Sequence, residues 1–263
     1  MLARIDSPHN PQLKNLNRLL EKAKARHTEQ RCVLEGLHLC HTLLDRGGRL
    51  ERLYLNSRAE HHPEVQALLQ RCAATTECVW VAEAALQKMS ALHSAPEVLG
   101  VMSLTALPRP KVMSQDKLLL ESIRDPGNLG TLLRTAAAAG ITQVYLSADC
   151  VDAWSSKVLR AAMGAHFSLQ IVADADLAAV LTDFVGIKLV THLAAQHSLY
   201  QCDLTPPCAF VFGNEGTGVS DTLAALAQPV LIPMPGQTES LNVAIAAAVC
   251  LFEQVRQRAT VAV

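Results

Sequence analysis

Six short runs of almost unbroken apolar sequence recur along the second half of the chain, with helix-length stretches between them. They span residues 117–122, 143–147, 169–172, 188–191, 209–212 and 230–232. Strands that are apolar on both faces have to be covered on both faces, so this alternation predicts a parallel sheet sandwiched between helices. The first half carries a weaker version of the same pattern. Apolar runs at 32–34, 53–55, 79–81 and 99–102 are separated by helix-like stretches such as 36–44 and 63–72, which suggests a small α/β layer domain. Between the halves lies Leu107-Pro-Arg-Pro-Lys111, running on to Asp116. Two prolines around an arginine resist both helix and central strand, so the segment reads as an extended linker. The expected organisation is a domain over 1–106, a linker over 107–116 and a second domain over 117–263.

The chain has 263 residues, of which 50% are hydrophobic and 18% charged, enough for a packed core and too apolar for intrinsic disorder. The net charge of −1 disguises an uneven distribution: residues 1–117 carry a net +4 and the remainder −5. A leading helix is expected over residues 10–30. Leu13, Leu16, Leu19 and Leu20 form its apolar stripe, and Lys14, Arg18, Lys22, Lys24 and Arg26 lie elsewhere. That basic surface is either an ordinary solvated face or a contact with a polyanionic backbone.

The longest strongly apolar stretch, 243–252, is about half the roughly 20 residues needed to cross a bilayer. No membrane role is expected, and the N-terminus does not read as a secretory signal. Eight scattered cysteines in a chain with a good core favour reduced thiols and a cytoplasmic location. His38, Cys40 and His41 come nearest to a metal set, but three residues on one probable helix read as helix surface and core.

Three stretches of the second half share the order apolar strand, polar loop, helix, and ligands of open α/β sheets gather at such strand ends. The first is Glu121-Ser-Ile-Arg-Asp-Pro-Gly-Asn-Leu-Gly130, leading into a helix with Leu129, Leu132, Leu133 and Ala136 at core-facing spacing. Asn128 is the expected N-cap and Gly140 the expected stop. Arg134 lies off the apolar stripe, either as a surface charge or as a phosphate contact. The second, Phe210-Val-Phe-Gly-Asn-Glu-Gly-Thr-Gly-Val-Ser220, has glycines that permit close approach of backbone to a ligand, but neither P-loop nor Rossmann spacing. Its Glu215 either orients a substrate hydroxyl or amide, or is a solvated loop acid. The third, Leu231-Ile-Pro-Met-Pro-Gly-Gln-Thr-Glu-Ser-Leu-Asn242, precedes a helix that is apolar all round, expected in the core or against another subunit, with Ser240 as its plausible N-cap.

Taken together, Asn128-x-Gly-x-x-x-Arg134, Gly213-Asn-Glu-Gly-x-Gly218 and Ile232-Pro-Met-x-Gly-x-x-x-Ser-Leu-Asn-Val243 resemble the three ordered motifs of the SpoU (TrmH-like) RNA ribose 2′-O-methyltransferases, members of the SPOUT superfamily. Ser7-Pro-His-Asn-Pro-Gln-Leu-Lys14, Val33-Leu-Glu-Gly36 and Ser94-Ala-Pro-Glu-Val-Leu-Gly-Val-Met102 look like the substrate-binding domain that many members carry. The resemblance implies an α/β chain: a C-terminal parallel sheet with a deep trefoil knot, and a smaller N-terminal α/β domain of ribosomal-protein-like fold. It also implies S-adenosylmethionine held at Gly213, Ile232 and Leu241, with Met234 and Thr191 lining the pocket. The catalytic set would be Arg134, Asn128, Glu215, Ser240 and Asn242. RNA would be met by Asn10, Lys14, Arg18 and Glu35, and the last helix would share in the knot and a homodimer interface. Two departures, Ala162 where relatives often place serine and Ala137 where a polar residue is common, fall outside the motif positions.

The expected activity is transfer of a methyl group to a ribose 2′-OH of RNA, ribosomal RNA ahead of transfer RNA. No metal is required, because the sulfonium is itself the electrophile. The alternatives are a transfer-RNA methyltransferase, or a non-catalytic RNA-binding or ribosome-assembly protein on the same fold.

Overall fold

The computed structural model describes residues 2–72, 74, 76–89, 95–214 and 216–261. In chain order the first elements are β1 (Ala3–Ile5), α1 (Pro11–Glu21), α2 (Ala23–Glu29), β2 (Arg31–Glu35), α3 (Leu37–Asp45) and β3 (Arg52–Asn56). Then come α4 (Pro63–Arg71), β4 (Glu77–Val81), α5 (Glu83–Gln87) and β5 (Val98–Ser103). The second half contributes β6 (Lys117–Leu120), α6 (Pro126–Ala138), β7 (Gln143–Leu146), α7 (Ser156–Ala162), β8 (Gln170–Val172) and α8 (Leu177–Asp183). It ends with β9 (Ile187–Thr191), β10 (Cys208–Phe212), α9 (Asp221–Ala224), β11 (Gln228–Val230) and α10 (Val243–Val261). These elements divide into two compact units: Met1–Pro108 with Trp154–Phe167, and Arg109–Ala153 with Ser168–Val263.

The first unit is built on a mixed sheet in the order β1-β4-β3-β5-β2, where β5 runs antiparallel to both neighbours. The four leucines of α1 join Val33, Tyr54, Val79, Leu99 and Val101 in its core. The long leading helix expected from the sequence is broken. Lys22 is extended (φ −112°, ψ 113°), and α2 restarts beyond it. Arg26, expected on a basic surface, is instead 3% exposed, and its Nη1 donates to the carbonyls of Leu19 (2.6 Å) and Leu20 (3.0 Å). The end of a helix leaves carbonyls without intrahelical donors, and the guanidinium supplies them here.

Although its sequence lies within the second half, α7 packs in this first unit, against β2. Val158, Leu159 and Ala162 are buried, and Arg160 Nη1 donates to Glu35 Oε1 at 2.8 Å. Gly164 closes the segment in the left-handed region (φ 83°), where a Cβ would fall 2.7 Å from Thr42 Cγ2.

The second unit holds six strands in the order β11-β9-β10-β6-β7-β8, all parallel. Leu177, Leu181 and Phe184 pack with Leu119, Val190, Ala209 and Val211. Strand alternation turns Leu118, Leu120, Phe210 and Phe212 to the opposite face, which is equally buried. The last strand lies two residues earlier than expected. From Leu231 the chain bonds to a loop instead of β9: Leu231 N donates to His197 O, and Leu231 O accepts from Leu199 N. β6 stops at Leu120 because Ser122 turns into the left-handed region (φ 57°). The end of the expected linker is anchored here too. Asp116 is buried and takes Arg258 at 2.7 and 2.9 Å, Cys208 N at 2.8 Å and Gln254 Nε2 at 3.1 Å.

α10 runs along α6, burying Ala244, Ala247, Cys250 and Leu251. It is not buried all round: Ile245 and Phe252 are about half exposed, at 52% and 48%. All eight cysteines are unbridged, and burial pushes the Cys40, Cys208 and Cys250 thiols up to about 12. No described helix is long and apolar enough to cross a membrane.

Candidate active site

Parallel strands deliver their following loops to one edge of the sheet, and the loops after β9, β10 and β11 converge there around a cavity of about 410 Å³. Its lining includes Thr191 at the end of β9, Gly213 just past β10, and Ile232, Met234 and Leu241 in the segment between β11 and α10. Val243 and Ala246 on α10 add apolar wall, and His192, Leu193 and Asn214 also face the space. Such a volume, mostly apolar with backbone groups at its edges, suits a small organic ligand.

The glycine at 213 is required by the backbone itself. A Cβ there would stand 2.2 Å from Gly218 O and 2.5 Å from Val219 N, so the loop could not fold back as it does. Two bonds moor that loop to the neighbouring strand end. Asn214 Nδ2 donates to Ser122 O (3.0 Å), and Glu121 Oε2 accepts from Ser220 N (2.7 Å). Ser122 in turn donates its N–H to Ser147 Oγ (2.9 Å) and its hydroxyl to Asp149. Bonds from Ser122 and Ser147, with Arg124 nearby, hold the exposed Asp149 carboxyl below its ordinary value.

The helix caps differ from the sequence expectation. Asp125, not Asn128, caps α6, accepting from Asn128 N at 2.8 Å, because Pro126 occupies the first helical position. Asn242, not Ser240, caps α10, accepting from Ala244 N at 2.9 Å. Asn128 thereby points its amide away from its own helix end, and its Oδ1 accepts from Asn242 Nδ2 at 2.9 Å. This bond joins the two helices beside the cavity that Ser240 and Asn242 line. Arg134 lies six residues beyond Asn128, about 9 Å further along the helix axis. It is exposed, and its side chain has no hydrogen-bond or ion-pair partner among the described residues. Glu215 lies outside the described residues.

Residues 117–252, which include every one of these strand-end loops, match the family model for the SpoU rRNA methylases. The chain belongs to the SpoU rRNA methylase family. Residues 10–100 match the model of an MRM3-like substrate binding domain. An uncharacterized tRNA/rRNA methyltransferase of Synechocystis is 35% identical, covering 98% of this chain and 95% of its own. The 23S rRNA (guanosine(2553)-2′-O)-methyltransferase RlmP of Bacillus subtilis is 29% identical over 95% of this chain and 98% of its own. Among solved structures, an AdoMet-bound rRNA methyltransferase from Sinorhizobium meliloti superposes with a TM-score of 0.83 at 29% identity, covering 97% and 98% of the two chains.

In this SpoU family member the residues expected to meet RNA are not used alike. Lys14 is exposed on α1, and Arg18, one turn on, is exposed but paired with Glu29 at 3.0 Å. Asn10 caps α1, accepting from Gln12 N at 2.8 Å. Glu35 departs from the expectation of a free contact: its carboxylate is buried against Arg160, so it anchors α7. The sequence reading missed Glu121, Ser122, Asp125 and His192. Each stands at or just beyond the carboxyl end of a strand, and that position was the available signal.

Proposed function

We propose that this protein transfers the methyl group of S-adenosylmethionine to a ribose 2′-OH of ribosomal RNA. The observation that carries the reading is the cavity at the ends of β9, β10 and β11, whose lining Asn242 is bonded to Asn128 on the helix that bears Arg134. The residues present fit the cofactor. The Gly213 turn leaves no room for a Cβ, and Ile232, Met234 and Leu241 offer apolar walls beside open backbone groups. Bound there, S-adenosylmethionine supplies an electrophilic methyl on a sulfonium.

Everything else falls to the chain. A guanidinium stays protonated at any working pH and is a poor proton acceptor. Arg134 therefore grips a phosphate beside the target ribose and stabilises the alkoxide that develops as the 2′-hydroxyl loses its proton to solvent. Asn128 and Asn242, fixed by each other, orient the hydroxyl, with Ser240 and Glu215 completing the set. Alignment of this kind contributes several kcal/mol to a displacement reaction.

The path from β11 through residues 231–242 into α10, which packs on α6, supports a trefoil knot. The exposed Ile245 and Phe252 support a homodimer seated on α10. Lys14 and Arg18 on the exposed side of α1 support RNA contact by the first unit. Ribosomal RNA is favoured over transfer RNA by the rRNA methylase family match and by relatives named for 23S rRNA, such as RlmP. Incubation with labelled cofactor and unmodified ribosomal and transfer RNA tests the reading. Label in ribosomal RNA at a ribose is expected; label in transfer RNA alone, or in neither, overturns it.

A further inference from the structure

The substrate-binding match covers residues 10–100, yet the unit those residues form also takes in Trp154–Phe167, from inside the methylase match. Within that unit the Arg160–Glu35 pair and the buried Val158, Leu159 and Ala162 fix which way α7 faces. Lys157 then points outward and is exposed. Beside it opens a cavity of about 370 Å³, bordered by Ser155, Ser156 and Lys157 on one side and by Lys88, the residue after α5, on another. Arg26 and Glu35 also reach its wall, and Leu20 and Met89 give it an apolar portion.

Two features distinguish this cavity chemically. Lys88 and Lys157 are both exposed, and neither has a side-chain partner among the described residues. Its buried carboxylate, Glu35, is already matched by Arg160, which leaves exposed Glu21 as the one other acid in the lining. Two unmatched ammonium groups around a concavity with hydroxyls and a small apolar wall suit a phosphodiester with its sugar or base laid alongside. A second basic cavity of the unit is less suited. It is lined by Arg31, Arg49 and Arg52, but Arg31 and Arg52 are spent on Glu51 and Glu77.

We propose that the cavity beside α7 is a backbone-binding subsite for the RNA substrate, built jointly by the substrate-binding sequence and the 154–167 excursion, with Lys88 and Lys157 as the phosphate contacts. The identity of the polymer as RNA rests on the methyltransferase reading. On this account Glu35 is a positioning residue that seats Arg160 and so presents Lys157.

The test uses the full chain and a fluorescent ribosomal RNA transcript, with binding measured across a salt series. The double variant Lys88→Gln/Lys157→Gln should lower the slope of log affinity against log salt by about 0.7–0.9 per lysine removed. It should raise KM for RNA and leave kcat and cofactor affinity unchanged. Glu21→Gln should strengthen RNA binding. Wild-type slope and KM in the double variant would overturn the proposal, as would transfer of the whole effect to Arg49→Gln in the other cavity. The two readings fail separately. Lysine-dependent RNA binding without methyl transfer by the wild type sinks the activity alone. Normal methylation with an unaltered double variant sinks the subsite alone.

Discussion

Arg134 keeps its charge available because no side chain among the described residues neutralises it. If it stabilises charge that develops only as the hydroxyl loses its proton, Arg134→Ala should lower kcat by about 100- to 1000-fold. Calorimetry should find cofactor affinity unaltered, and normal turnover by this variant would remove Arg134 from the chemistry. Gly213→Ala should behave in the opposite sense. With a Cβ directed into the Gly218 backbone the loop must shift, at a cost of about 1–3 kcal/mol. Cofactor titration should then read affinity weaker by about tenfold or more. At this scale the sequence was legible in residue type and misleading in role. Asp125 and Asn128, and likewise Ser240 and Asn242, are cap-competent residues within three positions of each other. Pro126 was the clue that decides the first pair, because proline belongs at the first helical position and makes the residue before it the cap. Nothing local decides the second pair. There, Asn242 is tied down by Asn128, 114 positions away.

The strands of the second unit were plain in the sequence because a strand buried on both faces has no polar residues to blur it. Their ends were less plain, since β6 and β11 are cut short by what the following residues bond to. The α1–α2 corner was illegible for a different reason. Helix propensity runs on through Lys22, and the break depends on a buried arginine reading as an exposed one. Arg26→Met should therefore lower stability by about 2 kcal/mol, because the carbonyls of Leu19 and Leu20 are left without donors. A urea midpoint measures it, and an unchanged midpoint would mean that water replaces the guanidinium without loss. On α10 the half-exposed Ile245 and Phe252 give a second test at this scale. If the proposed homodimer sits on α10, replacing both with glutamate should shift sedimentation from dimer to monomer; a wild-type monomer would overturn the dimer, and a variant that stays dimeric would place the interface elsewhere.

Whole-chain charge says little about this molecule, because +4 over residues 1–117 is hidden by −5 over the rest. One contribution to its acid stability comes from a buried carboxylate. Burial alone would push the Asp116 carboxyl up, but the Arg258 guanidinium and the Cys208 N–H outweigh burial and hold it below its ordinary value of 3.8. The stabilisation is therefore full at neutral pH and is lost only as pH falls below 3.8, through the depressed folded value. Asp116→Ala should cost about 2 kcal/mol at pH 7 by leaving the Cys208 N–H and the Gln254 amide without their buried acceptor, and should flatten the acid limb of the stability profile. Denaturant titrations at pH 7 and pH 3 check both parts.

The excursion of residues 154–167 bears on how the chain is made. The partner of Glu35 lies 125 positions downstream. A ribosome that has released only residues 1–108 has therefore delivered a sheet whose β2 is packed by α1, α2 and α3 but still lacks α7. The first unit gains its last helix only after the start of the second has been synthesised, so the two mature in overlapping order. A gene split at the linker would yield one half whose β2 lacks one of its packing helices and another with a stray amphipathic helix.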